Sequence, residues 1–441
     1  MENERSFVIM AEPWDTVATL KQKVHDSQGI AVENQQLHFA GKVLENQLSA
    51  ADCDLFTRGK LALRVVQASG GGKESLPMPV GKPPFTLKEL REAIPEHCFE
   101  RSYLRSFGYL ALDFVKLAAL GTIFFGYETV LEPVLPSVVT YAFYVAYIFA
   151  LGTVGTALWV LAHDCGHHAF SPNKWLNDIV GWAIHSSLLL PYHAWRESHR
   201  RHHAKTGHLE DDEVFVPFTR SEIGDDIPTS PTYYVAKILG ILVFGFPMYL
   251  FFNTSGPRKY RQPGKKRSHF EPDSVVFSPR DRIGIIIGDI GVAGVFAVAC
   301  YLTHTLGWRT MVLHYWAPWL VVYIELVAIT YLHHTAVYVP RFASEEWEWL
   351  RGALCTVDRS WGWLLDNTLH HIQDLHVCHH LFSKMPFYHH DEATEAIKPI
   401  LGDYYVRDDT NPLIALWQSM TTCIFMEDDG PVRFFKANLD D

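Results

Sequence analysis

At 441 residues, with 48% hydrophobic and 13% aromatic side chains, the chain has room for two or three soluble domains, yet several of its apolar runs are as long as a bilayer is thick. The formal charge of -11 is unevenly spread and there is no basic tail, so nucleic acid is not an expected partner. Seven scattered cysteines, without a CxxC pair, fit a reducing compartment. Residues 1–30 carry Glu2, Glu4, Glu12 and Asp15 and no apolar core, and read as neither a secretory nor a transit peptide.

Residues 1–72 read as a small soluble domain. Val17, Leu20 and Val24 recur at helix spacing and Gly29 stands at the C-cap position. Strand-like runs follow at Gln36 to Phe39 and Leu61 to Val66. The stretches E-P-W-D-T-V (Glu12 to Val17), Gly29-Ile30 and F-A-G-K-V-L-E (Phe39 to Glu45) resemble ubiquitin in order and spacing. Two features depart from it. Q-A-S-G-G-G (Gln67 to Gly72) replaces ubiquitin's Arg-rich tail, and His38 stands where ubiquitin has the central isoleucine of its binding patch. The resemblance implies a β-grasp domain that stays attached and offers a surface to a ubiquitin-receptor-type partner. Ser69 to Glu74 and the prolines from Pro77 to Pro84 have linker composition.

The membrane part is expected to begin near Gly108. Tyr109 to Tyr127 is mostly apolar but holds Asp113 and Lys116, an i, i+3 pair expected at headgroup level. Ser137 to Leu161 carries no charge and is the clearest span. Ile283 to Leu302 and Tyr315 to Leu332 are two more. The basic segment before them, from Arg258 to Arg282, is cytosolic by the positive-inside rule. Asp178 to Trp195 is interrupted by His185, Pro191 and His193 and should not cross. Tyr234 to Phe252 is expected to lie in the interface or re-enter, bending at Pro247, because an odd number of crossings would separate the histidine clusters described next. The count is four crossings with both termini cytosolic. Asp289 is expected to reach the interface; Glu325, deeper in its helix, has no evident role from sequence.

Three clusters carry the chemistry. H-D-C-G-H-H places His163 and His167 at i, i+4. H-R-R-H-H supplies His199, His202 and His203, and H-V-C-H-H supplies His376, His379 and His380, both at i, i+3, i+4. On helices these spacings put the imidazoles on one face. A single such histidine is ordinarily a surface or core residue; three clusters with helix-face spacing are not. They offer more ligands than the four of one zinc and suit two metal ions. Beside a bilayer, the natural target is a lipid chain, and oxidising an unactivated C–H bond needs a redox metal and O₂, which makes iron the economical choice. Asp164, Asp211, Asp212 and Asp374 stand close by to orient the ligands.

The clusters and their surroundings are similar to the histidine boxes of membrane fatty acid desaturases, and to the plant and fungal oleate (delta-12, omega-6) branch in particular. The similarity runs from about residue 85 to the end, through V-G-W-A-I-H-S (Val180 to Ser186), D-E-V-F-V-P (Asp212 to Pro217), W-L-R-G-A-L (Trp349 to Leu354), T-V-D-R (Thr356 to Arg359) and E-A-I-K-P-I-L-G (Glu395 to Gly402). The resemblance implies two iron ions, O₂ as co-substrate and a cis double bond as product. The implied ligands, which are also the catalytic residues, are His163, His167, His199, His202, His203, His376, His379 and His380. A ninth metal ligand, His334 in Y-L-H-H-T, follows the last span. Asp164, His193 and His333 lean instead toward the omega-3 branch. His168 is not expected to be a ligand, and His371, His389 and His390 read as surface residues. The H-P-G-G signature of cytochrome b5 is absent, so electrons are expected from separate cytochrome b5 and its reductase. The implied substrate is an acyl-lipid or acyl-CoA in the endoplasmic reticulum membrane.

The expected fold is mainly α: a four-helix transmembrane bundle with a cytosolic helical cap carrying a histidine-rich di-metal site, preceded by a small α+β ubiquitin-like (β-grasp) domain. Its parts are residues 1–72, a linker and amphipathic approach over 73–107, and the desaturase domain over 108–441. An omega-3 (delta-15) desaturase, a di-iron hydroxylase or acetylenase, and a non-catalytic His-rich metal-binding membrane protein are the competing functions.

Overall fold

The computed structural model describes residues 16–28, 32, 35–39, 42–43, 62–65, 77–224, 227 and 230–437. The chain divides into two compact units, Met1–Ser75 and Leu76–Asp441.

In the first unit, helix α1 (Val17–Gln28) buries Val17, Leu20 and Val24 on one face, as their helical spacing dictates. Strand β1 (Gln35–Phe39) is central, pairing antiparallel with β2 (Lys42–Val43) and with β3 (Ala62–Val65), where Leu37 stands opposite Leu63. Leu37 and Gln35, two apart, are both buried. Both expected strands are present. The Gly29 cap and the Ser69 to Glu74 stretch lie outside the described residues.

The second unit starts earlier than composition indicates. Helix α2 (Leu87–Ala93) opens on a capping box, in which the Thr86 hydroxyl accepts from the Glu89 N–H and Glu89 accepts from the Thr86 N–H. Met78, Phe85, Leu90, Ile94 and Cys98 are buried in one core with Phe342, Leu354, Val377 and Ile397. The segment expected as a linker thus packs into this unit; its apolar residues, interleaved with prolines, supply the burial. Helix α3 (Tyr103–Gly126) begins at Tyr103, capped by Ser102, rather than near Gly108.

Four long helices and two shorter ones build the rest of the membrane part. Helix α4 (Ser137–Gly166) is followed by α5 (Lys174–Ser187) and α6 (Tyr192–Lys205), each too short to cross. Then come α7 (Pro231–Phe252), α8 (Arg282–Leu306) and, at the end of the apolar stretch Trp308–His334, α9 (Ala317–His334). Exposed Phe114, Val115 and Phe125 on α3, and Ile283, Ile286 and Ile290 on α8, form apolar surfaces suited to lipid. Helices α4 and α9 approach closely: a Cβ on Gly152 would lie 2.5 Å from the Val321 Cβ. The short α10 (His376–Leu381), α11 (His390–Leu401) and α12 (Pro412–Thr422) complete the helical part.

Two features bear on the expected membrane placement. Among the described residues, 5 helices are long and apolar enough to cross a membrane, where four crossings were expected. The additional one is α7, whose helical run includes Pro247. A proline removes one backbone hydrogen bond, a loss that an apolar helix packed on a neighbour tolerates. Asp113 is fully buried. Lys116 Nζ lies 2.8 Å from it and His370 Nε2 lies 2.7 Å away, so the carboxylate ties α3 to the loop before α10.

The intramembrane acids also separate. Glu325 accepts hydrogen bonds from Thr153 (2.7 Å) and Thr156 (2.6 Å), one turn apart on α4, so it cross-links the two most intimately packed helices. Asp289 is half-buried, with one carboxylate oxygen shielded. Asn253 of the Asn253-Thr254-Ser255 sequon ends α7 in the left-handed region (φ 47°) and is 2% exposed. It should remain unglycosylated in a eukaryotic host. A mobility shift removed by glycosidase would move this end of α7 out of the cytosol.

Candidate metal centre

Helix geometry places the histidines. His163 lies in the last turn of α4 and His167 caps it; their Nε2 atoms are 3.2 Å apart. The i, i+4 pairs His199 and His203 on α6 and His376 and His380 on α10 each bring Nε2 atoms to 3.1 Å. Nitrogens bound to one metal at about 2.1 Å sit roughly 3 to 3.5 Å apart, so each pair already has the spacing of adjacent ligands.

The triplets divide between two sites. His163, His167, His199, His203 and His379 form one group, and His202, His334 and His380 form another, with the ligand atoms in each group within 4.8 Å of one another. His376 joins the second, with Nε2 3.4 Å from that of His334 and 3.1 Å from that of His380. On α6 the i and i+4 histidines face the first site and the i+3 histidine faces the second. On α10 the assignment is reversed: His376 and His380 serve the second site and His379 reaches the first, 3.2 Å from His203. Each of these helices therefore spans both sites. All nine expected histidines converge, His334 from the last residue of α9.

This convergence constrains the crossings. His203 and His379 meet, yet α7, α8 and the Trp308–His334 stretch lie between them in sequence. Three full crossings would put the two residues on opposite sides of a bilayer, which the expected count of four crossings avoids.

Second contacts fix the rings. Asp212, fully buried, accepts from His202 Nδ1 at 2.6 Å and is itself held by Arg341 (2.9 Å) and the Gly207 N–H (3.1 Å). Burial pushes the Asp212 carboxyl up, but His202, Arg341 and the Gly207 N–H together hold it below the usual carboxylate range. Asp164 lies 3.4 Å from His163 Nδ1 and accepts the Phe387 N–H. The other two expected carboxylates turn elsewhere: Asp211 pairs with Lys259 (2.6 Å) and Asp374 with His371 (3.0 Å). Proximity in sequence did not distinguish the two kinds. Asp212→Asn should lower metal retention by about 10- to 100-fold, read as metal lost to a chelator, with secondary structure unchanged.

Burial, reinforced by the neighbouring imidazoles, holds His199, His203, His376, His379 and His380 well below the ordinary histidine range. His167 is pushed down to about 3, chiefly by burial. These rings are neutral near pH 7, the form that ligates a metal. The sign of the linkage follows. Above about pH 6.5 both folded and unfolded chains carry neutral rings; below it the unfolded chain takes up protons first, so stability falls as pH drops toward about 3. The melting temperature of metal-stripped protein should be flat from pH 7 to 8 and fall steeply below about pH 6.5.

Several residues near the site escaped the sequence reading. His333 stacks on His376 (ring centroids 3.7 Å) with its Nε2 on the Gln373 carbonyl. Trp195 stacks on His199 at 4.6 Å, and Trp159 lies against His163. His389 and His390, expected at the surface, are buried, and the His390 ring lies 5.7 Å from that of His379. His389 ends the short turn Phe387–His389 that leads from α10 into α11, and His390 opens α11. His371 is partly exposed and His168 stands apart from both ligand groups, as expected.

A cavity of about 350 Å³ opens beside the ligands, with Trp159, Trp195, His199, His202 and His334 on its inner wall. Lys237, Ile241, Gly245 and Tyr249, at successive i+4 positions on α7, line it, and Phe215 and Tyr331 add aromatic surface. The donor set fits two transition-metal ions: nine imidazole nitrogens in groups of five and four, each with the spacing of shared ligation.

Long apolar helices, two groups of histidines that could each hold a metal ion and an adjoining apolar cavity suit a membrane protein with a metal-binding site. Residues 140–412 match the Fatty acid desaturase family model, and residues 1–65 match that of the Ubiquitin family. The chain is 44% identical over 353 residues to the oleoyl-12-hydroxylase of Ricinus communis, covering 80% of this chain and 89% of that one. It is 43% identical over 377 residues to a delta(12) fatty acid desaturase of Calendula officinalis, covering 84% and 96%. A delta(12) fatty acid desaturase of Mortierella alpina is 42% identical over 372 residues, covering 80% and 91%. The chain belongs to the fatty acid desaturase family, and is an oxidoreductase.

Proposed function

We propose that the protein is an O₂-dependent di-iron acyl-lipid desaturase that inserts a cis double bond at carbon 12 of oleoyl chains, giving linoleoyl chains. The observation that carries this reading is the meeting of nine imidazoles, in groups of five and four, at the wall of an apolar cavity. His163, His167, His199, His203 and His379 would hold one iron, and His202, His334, His376 and His380 the other. Two irons supply the O₂ activation that oxidation of an unactivated methylene requires. The balance is one O₂ reduced to two waters, with two electrons from the acyl chain and two from an external donor. Cytochrome b5 with its reductase suits that role. The chain's own residues position the substrate: α7 and the aromatic walls hold the acyl chain and keep water from the ligands, while Asp212 keeps the His202 ring oriented.

The same reading places the enzyme in the endoplasmic reticulum membrane, with four crossings and both termini cytosolic. Residues 1–72, ahead of a desaturase unit that begins at Leu76, serve as a docking or turnover handle for a ubiquitin-receptor-type partner. Expression in a yeast that makes oleate but no polyunsaturated lipid, with fatty acid profiling, tests the function. A new diene supports it. A hydroxy acid or acetylenic acid would select the related chemistry, to which the Ricinus relative's name points, and an unchanged profile with metal bound would leave a metal-binding protein.

A further inference from the structure

A second cluster of metal-ligating side chains lies outside the nine-histidine centre. The short turn Glu96–Phe99, ahead of α3, presents His97 and Cys98. The turn Phe387–His389, after α10, presents His389, and the first turn of α11 presents Glu392. One donor atom from each of these four residues lies within 4.8 Å of every other. His97 Nε2 is 2.9 Å from Glu392 and 3.7 Å from the Cys98 sulfur, and the His97 and His389 rings are 5.5 Å apart. Tetrahedral zinc, with bonds of about 2.0 to 2.3 Å, sets its donors roughly 3.3 to 3.8 Å apart, so modest side-chain rotation closes the group on one ion.

We propose that His97, Cys98, His389 and Glu392 form a structural zinc site, separate from the catalytic centre. The donor types argue for zinc: a thiolate, two imidazoles and a carboxylate make a complete four-coordinate set, and sulfur disfavours magnesium and calcium. The arrangement is half-sheltered. Cys98 and His389 are buried, while the His97 and Glu392 side chains are 54% and 52% exposed and leave a path of entry. The ion would fasten the segment that leads into the first membrane helix to the turn that follows α10, where His390 lies against His379. It would thereby brace the third histidine cluster from behind. One neighbour competes. Arg105 Nη1 lies 3.3 Å from His389 Nε2, and must withdraw for that nitrogen to ligate; it already rests on the Tyr388 ring and carbonyl.

The test is metal content of the full-length protein purified in detergent, after dialysis against a weak chelator. The parent should hold about one zinc per chain, and His97→Ala, Cys98→Ser and Glu392→Gln should each hold under about a tenth of that. Iron content equal to the parent shows that each variant has folded, and His97→Ala and Glu392→Gln change solvent-open positions if Cys98→Ser does not fold. Cobalt(II) loaded in place of zinc should give a thiolate charge-transfer band that Cys98→Ser abolishes. Arg105→Gln should tighten zinc binding. Equal zinc in parent and variants, or a cobalt spectrum without the thiolate band, overturns the site, and unchanged affinity in Arg105→Gln overturns the four-ligand assignment.

Discussion

Replacing His163, His202 or His379 with Ala should abolish product formation while the protein stays in the membrane at the parent's level. The parent should hold about two iron atoms per chain, and the variants should lose metal unequally. His163 and His379 belong to the five-donor group, so either variant leaves four nitrogens there. His202 belongs to the smaller group with His334, His376 and His380, and its loss leaves three. His202→Ala also removes one partner of the buried Asp212 carboxylate, leaving it Arg341 and the N–H groups of Gly207 and Val214. The His202 variant should therefore retain about one iron, and the His163 and His379 variants more. Metal analysis with parallel fatty acid profiling reads both effects. Full activity in any of the three variants would remove that residue from the centre.

How much of this was visible beforehand follows from the range over which each feature is determined. The i, i+4 pairs were legible because a helix sets them locally; His199 and His203 must meet wherever α6 goes. The division of each triplet between two sites was not. It depends on how α6 and α10 face each other, which is a tertiary fact. His334 came from family resemblance alone, since a pair of histidines at a helix end carries no spacing signal. Composition misled at residues 77–99, where prolines marked a linker but Met78, Phe85 and Leu90 are core. It misled again at His389 and His390, which read as surface residues although both are buried. Glu325 had no sequence account because its partners, Thr153 and Thr156, lie on another helix and look like ordinary apolar-span residues.

Oleoyl chains should become linoleoyl chains. The branches of the family share the ligand set, so the position of the new double bond depends on where the acyl chain rests against the two metal positions. A misplacement of about 1 Å alters rates greatly. The sequence divides on this point: Asp164, His193 and His333 lean to the omega-3 branch, whereas His168, Ala353, Asp212 to Pro217 and Trp349 to Arg359 lean to delta-12. The structure weights them by location. Val214, Phe215, Val216 and Pro217, all from the Asp212 to Pro217 stretch, line the cavity, and Phe215 holds a left-handed backbone (φ 51°) with its ring 5.5 Å from that of Tyr331. His193 packs instead where a Cβ on Gly284 would meet it, on α8 and outside the cavity lining. Of the omega-3-like residues only His333 lines the cavity, and its ring is engaged with His376 and Gln373. The delta-12-like wall therefore has the larger hold on the chain's register. In yeast that makes oleate but no polyunsaturated lipid, gas chromatography should show linoleate accumulating, and fed linoleate should yield little alpha-linolenate. Efficient conversion of fed linoleate, with no linoleate formed from endogenous oleate, would transfer the enzyme to the omega-3 branch and assign the register to His333 instead of the Val214 to Pro217 wall.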